Sequence, residues 1–218
     1  MVHKREIKSY VIRDGRITPG QIKALQHFWP AMGLEVQDGL LDCRSEFING
    51  KPLVLEIGFG MGDSLFEMVQ SEIETNFIGV EVHRPGVGHL LRLAGKAGLT
   101  NLRIYRADSI DVIQNCLPKA SLDKVQIFFP DPWHKKKHHK RRLINPGFIG
   151  LLAPCLKPGA VVHIATDWAP YAKVIEEVMK DWVRVKAPQR PATKYEKRGL
   201  ELDHEVFDLA FSNSTPAS

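Results

Sequence analysis

Leu53-Val54-Leu55-Glu56-Ile57-Gly58-Phe59-Gly60-Met61-Gly62 reads as a buried apolar strand that runs straight into glycines at every second position. Val54, Leu55 and Ile57 have the continuous apolar character of a strand covered on both faces. Gly58, Gly60 and Gly62 allow a tight backbone turn and close approach to something flat or charged. Glu56 lies inside the run, where a carboxylate is costly without a partner, so it is expected to hydrogen-bond the loop amides or a ligand group. The dinucleotide fingerprint G-x-G-x-x-G fails here, because counting from Gly58 its third glycine falls on Asp63, and that weighs against NAD.

The spacing Glu56-x-Gly58-x-Gly60-x-Gly62 resembles motif I of the class I S-adenosylmethionine-dependent methyltransferases. That resemblance implies a ligand with an amino acid, a sulfonium and an adenosine, for which close backbone approach matters more than a phosphate cradle. A glycine loop by itself is also what an ordinary strand-to-helix turn looks like, so more residues must agree. Asn76 to Val82 is a second apolar run with Glu81 near its end, about where an acidic residue takes a ribose hydroxyl pair. Leu102 to Ala107 is a third, followed by Asp108, where the methyltransferase pattern has a residue near the adenine. Each acid alone reads more simply as a helix N-cap or a solvated turn. Together with the glycine loop they predict an adenosine-bearing ligand at the carboxyl ends of a parallel sheet.

The chain of 218 residues suits one large domain better than two. The expected division is an N-terminal extension over 1–50, an S-adenosylmethionine-dependent domain over 51–211 and a disordered polar tail over 212–218. A hydrophobic content of 44% with 25% charged residues is ordinary for a soluble globular protein. No stretch has the apolar length that spans a bilayer, and the polar start Met1-Val2-His3-Lys4-Arg5-Glu6 precedes no apolar segment, so a cytoplasmic protein without a membrane partner is expected. Cys43, Cys116 and Cys155 are far apart, which suits reduced thiols rather than disulfides or zinc. The formal charge of +5 leans toward a polyanionic partner wherever the positive charge is concentrated.

It is concentrated from His134 to Arg142, a run of His-Lys-Lys-Lys-His-His-Lys-Arg-Arg. A charge run is ordinarily a solvated surface, but this one follows Asp123 to Phe128, another buried strand, and then Phe129-Pro130-Asp131-Pro132-Trp133. Prolines on both sides of Asp131 keep the loop from continuing as helix or strand. One loop therefore carries a rigid carboxylate, a stacking surface and a cationic strip, a combination that fits a nucleobase held by edge and face with its phosphates gripped alongside.

At this point the chain resembles the bacterial tRNA (guanine-N7)-methyltransferase family, which methylates the variable-loop guanine at position 46. The resemblance runs over nearly the whole length, through Gly15 to Gln21, Glu56 to Gly62, Gly79 to Val82, Phe129 to Trp133 with its basic tail, Ala165-Thr166-Asp167 and Thr193-Lys194-Tyr195-Glu196. It implies S-adenosyl-L-methionine as cofactor and tRNA as partner, with no metal, in a monomer or homodimer. It also implies the α/β, Rossmann-like class I methyltransferase fold, a mostly parallel seven-stranded sheet with helices on both faces. By similarity Glu56, Gly58, Gly60, Gly62, Glu81, Asp108 and Asp131 are cofactor-side residues, and Asp131 is the active-site carboxylate. Lys135, Asp167, Thr193, Lys194, Tyr195 and Glu196 are substrate-side, and Lys137, His138, His139, Lys140, Arg141 and Arg142 form the RNA-contacting strip. His138 and His139 depart from the family's pattern, as does the short N-terminal extension.

The residue types suit that chemistry. Guanine N7 carries an in-plane lone pair, so no strong base is needed. Positive charge arrives on the purine during transfer, and a preorganised carboxylate beside it stabilises the transition state. Asp131 either does this or accepts from the guanine N1–H and N2 donors to fix the base. Lys135 meets a phosphate or the guanine O6, and Asp167 pairs with a basic residue or the base. The rival readings are a methyltransferase acting on an exocyclic amine, since Pro130-Asp131-Pro132-Trp133 is close to a D-P-P-aromatic loop, and an RNA-binding module without cofactor. A metal site of His134, His138 and His139 is disfavoured by the lysines between them.

Elsewhere, Gly20 to Trp29 reads as a short amphipathic helix with Ile22, Leu25, Phe28 and Trp29 on one packed side. Helices are expected behind Gly62, Pro85, Ile110, Asn145 and Pro170, an irregular loop from Pro188, and a strand over Glu205 to Phe211 that closes the sheet antiparallel.

Overall fold

The computed structural model describes residues 8–10, 15–47, 50–193, 195–196 and 205–213. Thr18 starts α1 (Pro19–Met32) through a capping box, its hydroxyl accepting from the Gln21 amide while the Gln21 side chain accepts from the Thr18 N–H. The helix outruns the expected segment and continues through Pro30. Its buried residues are Gln21, Ala24 and Met32, whereas Ile22, Leu25, Phe28 and Trp29 are only half-buried. The packed side is thus rotated from the one expected. Gln21 can face inward because its amide donates to the Pro85 carbonyl at 3.0 Å.

The chain then runs β1 (Gly33–Leu34), α2 (Cys43–Phe47), β2 (Leu53–Ile57), α3 (Asp63–Ser71), β3 (Asn76–Val80), α4 (Arg84–Lys96), β4 (Leu102–Tyr105) and α5 (Ser109–Asn115). It continues with β5 (Leu122–Phe128), α6 (Pro146–Leu152), β6 (Leu156–Thr166), α7 (Ala169–Val178), β7 (Val183–Val185) and β8 (Phe207–Ser212). The strand order is β1-β4-β3-β2-β5-β6-β8-β7. Pairing is parallel from β1 to β6, and β8 runs antiparallel to both β6 and β7. The sheet has eight strands rather than the expected seven. The additional one, β1, is two residues long, too short for any hydrophobic period to reveal, and it joins the edge beside β4. Ser212, assigned above to the polar tail, instead ends β8, pairs with Val161 and Val183 and is buried. Residues 214–218 lie outside the described residues.

Alternation along the strands builds two cores. Leu55, Ile57, Val125 and Ile127 pack with Val112, Phe148 and Tyr171 on one face. Val54, Phe77 and Ile104 pack with Leu65, Leu90 and Leu91 on the other. Each such side chain, fully buried, contributes about 1.5–3 kcal/mol. No helix among the described residues is long and apolar enough to cross a membrane.

The second core sets the position of the glycine turn through α4. A Cβ on Gly86 would stand 1.9 Å from the Gly60 carbonyl oxygen, so the helix touches the turn backbone directly. Gly86→Ala is expected to destabilise the protein by about 1–3 kcal/mol through overpacking against unyielding backbone. Urea denaturation checks this, and an unchanged midpoint would mean that the helix shifts without cost.

Candidate active site

The chain leaves β2 toward β3 and β4, then crosses back to β5 on the other side of β2. The carboxyl ends of β2 and β5 therefore frame the crevice where open sheets place ligands. Gly58, Gly60 and Gly62 all take left-handed conformations, with φ of 76°, 59° and 79°, which side-chain-bearing residues rarely adopt. Glu81 anchors this turn. One carboxylate oxygen accepts from the Gly60 amide at 2.8 Å, and the other from the Val82 and His83 amides at 2.7 and 2.9 Å.

Two cavities flank the turn and share Gly58, Phe128 and Phe129. One, of about 370 Å³, is lined by Ser9, Tyr10, Glu81, Ser109 and Asp131. The other, of about 430 Å³, is lined by Glu56, the turn from Gly58 to Ser64, Thr193 and Tyr195. Asp108 sits at the edge of the first cavity, between its lining residues Ala107 and Ser109. Its carboxylate caps α5 through the Ile110 amide and pairs with Lys8 at 3.0 Å.

Glu56 is 2% exposed and accepts from the Gln126 amide. The two are register partners on β2 and β5, and Gln126 is in turn the partner of His163 on β6. A polar row thus crosses the centre of an apolar sheet. His163, 1% exposed, bonds Asp208 at 2.8 Å, and Asp208 accepts from Arg190 at 3.0 Å. Arg190 also forks onto Glu196 and lies 4.6 Å from the Phe128 ring centre. Burial alone would raise the Asp208 carboxyl, but His163 and Arg190 outweigh it and hold it below its ordinary value. Glu196 closes a small turn with Thr193 by two reciprocal bonds of 3.2 and 3.0 Å. Tyr195, between them in the chain, donates to Asp167 at 3.3 Å. Lys194 lies outside the described residues.

Phe129 and Trp133 bracket the Pro130-Asp131-Pro132 loop with φ of 52° and 47°. Such conformations cost about 1–3 kcal/mol each and persist only where surroundings impose them. Asp131 is exposed on the cavity wall, with Lys135 exposed beyond it. The basic run forms a 3-10 turn over Lys136–Arg141 and is only partly the exposed strip expected. Lys137, His139 and Lys140 are exposed. Arg142 is buried, donates to the Pro132 carbonyl at 2.8 Å and covers the Tyr171 ring, so it supports the Asp131 loop from beneath. Arg141 stacks on Trp133 at 4.1 Å and donates to the carbonyls of Lys8 and Tyr10. Both guanidinium groups turn toward carbonyls and rings that a linear reading cannot place nearby. His138 leans on Trp133, and partial desolvation together with Lys137, Arg141, Lys135 and Lys140 pushes its imidazole below the ordinary value. No group of three or more His, Cys, Asp or Glu among the described residues is arranged to hold a metal ion.

Arg190, Gln126, His163 and Asp208 escaped the sequence reading, as did the Ser9–Tyr10 segment. Gln126 and His163 did leave a signal, a polar residue inside an apolar run, the same signal that marked Glu56.

Burial is the largest influence on Glu56 and raises its carboxyl to about 7, against the lowering effects of Gln126, Lys124 and Arg190. Below 4.5 both the folded and unfolded chain carry this proton; between 4.5 and about 7 only the folded chain does. Stability of the ligand-free protein therefore falls as pH rises through that window and is level above it. Glu56→Gln removes the effect, so its advantage over the wild type should grow to about 3 kcal/mol by pH 8. Parallel stability curves for the two proteins, measured by denaturation across pH, would contradict this.

The family model described as "Putative methyltransferase" matches residues 50–209. A tRNA (guanine-N(7)-)-methyltransferase of Shewanella amazonensis is 50% identical, covering 96% of this chain and 93% of that protein. One from Saccharophagus degradans is 48% identical, covering 97% of each. Among solved structures, the 16S rRNA methyltransferase KamB superposes with a TM-score of 0.59 at 15% identity, over 94% of this chain and 99% of that one, a likeness of fold. With half of its residues shared over nearly its full length, the chain belongs to the tRNA (guanine-N7)-methyltransferase family.

Proposed function

We propose that the protein is a cytoplasmic enzyme that transfers a methyl group from S-adenosylmethionine to N7 of guanine at position 46 in the tRNA variable loop. The observation that carries this reading is the pair of cavities joined at Gly58, Phe128 and Phe129, with Glu56 and Glu81 on the glycine-turn side and Asp131 on the wall. The residues fit the cofactor. A carboxyl raised to about 7 by burial favours a cationic ligand group, whose charge repays its ionisation. Glu81 retains acceptor capacity toward the first cavity, which suits a ribose diol.

When bound, S-adenosylmethionine supplies a methyl group activated by its sulfonium. Asp131 presents a carboxylate where positive charge develops on the guanine ring, and its proline-flanked backbone holds it there before the reaction. The N1–H and N2 donors of guanine give the same carboxylate a means of rejecting adenine. Thr193 and Tyr195 line the second cavity, Thr193 held through Glu196 by Arg190 and Tyr195 bonded to Asp167. No side chain has to remove a proton from N7, so the rate depends chiefly on alignment. Lys135, Lys137 and Lys140 meet the phosphates.

Incubation with unmodified tRNA and methyl-labelled cofactor, followed by mapping, should place the label on guanine 46 as an alkali-labile 7-methylguanine. Asp131→Ala should lower turnover at least about tenfold while cofactor affinity holds, as for a contact made in the transition state. Label on an exocyclic amine, or full turnover in the variant, would refute the assignment.

A further inference from the structure

Trp168 is 39% exposed and lies against His134, on the loop that carries Asp131. Folding alone does not account for it. Trp168 occupies the N-cap of α7, where short polar side chains are favoured, and makes no capping bond through its side chain. Its ring meets the His134 imidazole edge to face at 4.4 Å, three residues beyond Asp131. Asp167, its neighbour in the chain, accepts from Tyr195, which is 59% exposed and tilts against Phe129 with ring centres 5.3 Å apart. Among the described residues four large hydrophobic side chains are exposed, Leu40, Ile73, Trp168 and Tyr195. The two aromatic ones both touch the loop that carries Asp131, Trp168 through His134 and Tyr195 through Phe129.

We propose that Trp168, braced by His134, is a stacking platform for a nucleobase that flanks the methylated guanine in the RNA strand. The inference rests on the reading of the protein as a tRNA methyltransferase and adds a subsite to it. Presenting a guanine to a pocket takes it out of its stack and uncovers the faces of its neighbours. An exposed indole covers one such face, and Lys135, Lys136 and Lys137, all exposed on the adjoining loop, meet the phosphates of the same strand. Stacking tolerates any base, so the platform contributes grip while the Asp131 wall selects guanine.

The test is steady-state methylation of an unmodified tRNA transcript by the wild type, Trp168→Ala, Trp168→Leu and Trp168→Phe, with cofactor affinity measured separately. Loss of the stacked ring should raise KM for tRNA roughly ten- to a hundredfold in the alanine and leucine variants. Turnover at saturation and cofactor affinity should stay near wild type, and phenylalanine should recover most of the loss. RNA should also quench wild-type tryptophan emission more than that of Trp168→Phe. An unchanged KM in Trp168→Ala overturns the proposal, as does leucine matching phenylalanine or cofactor affinity falling in step with KM. A wild type that leaves tRNA unmethylated would instead remove the underlying reading and the platform with it. Full wild-type methylation beside an unaffected alanine variant removes the platform alone.

Discussion

Glu81 joins the two halves of the site. Its carboxylate accepts three backbone amides, one from the turn after β2 and two from the chain leaving β3, and so ties adjacent strand ends together. The turn is held besides by the Gly58 amide on the Val80 carbonyl, by the Gly62 amide closing back on the Phe59 carbonyl, both at 2.8 Å, and by Phe59 buried in the second core. From behind, Gly86 brings α4 against the Gly60 carbonyl with no room for a methyl group. Both cavities, the one lined by Ser109 and the one lined by Tyr195, share this turn, and the Glu81 carboxylate is the side chain that binds its amides to the end of β3.

The polar row under that turn is a second constraint. Glu56, Gln126 and His163 lie side by side across β2, β5 and β6, and Asp208, Arg190 and Glu196 extend the row toward the surface. Buried ion pairs of this kind add little net stability, since desolvation cancels most of the attraction. Removing one partner is different, because it strands the others in a low dielectric. The row therefore serves position more than strength: Gln126 holds Glu56 at the floor of the crevice, and on the adjacent strand His163 leads through Asp208 and Arg190 to Glu196 and the Thr193–Glu196 turn.

The same logic explains what could be read along the chain. The strands were legible because β2, β3 and β5 are buried on both faces and so read as apolar runs, and the acids at their ends stood out against them. The helices behind Gly62, Pro85, Ile110, Asn145 and Pro170 were marked by caps and prolines. The strand β1 was not legible, having only two residues, and neither was the buried side of α1, where Gln21 displaces an apolar residue by finding a carbonyl partner 64 residues away. Arg141 and Arg142 read as part of a surface charge run, yet their guanidinium groups turn inward onto Trp133 and Tyr171.

Local chemistry by itself determined the strand-and-turn order, the glycine positions that demand a left-handed backbone and the acids placed at strand ends, because these depend on residues a few positions apart. Only the tertiary structure decided which of those acids face a cavity, which cations remain available to a polyanion and which aromatic rings touch the loop that carries Asp131. Such outcomes depend on pairings between residues tens to more than a hundred positions apart, such as Glu56 with Gln126 or Trp133 with Ser9, whose energies exist only once the sheet has brought them together.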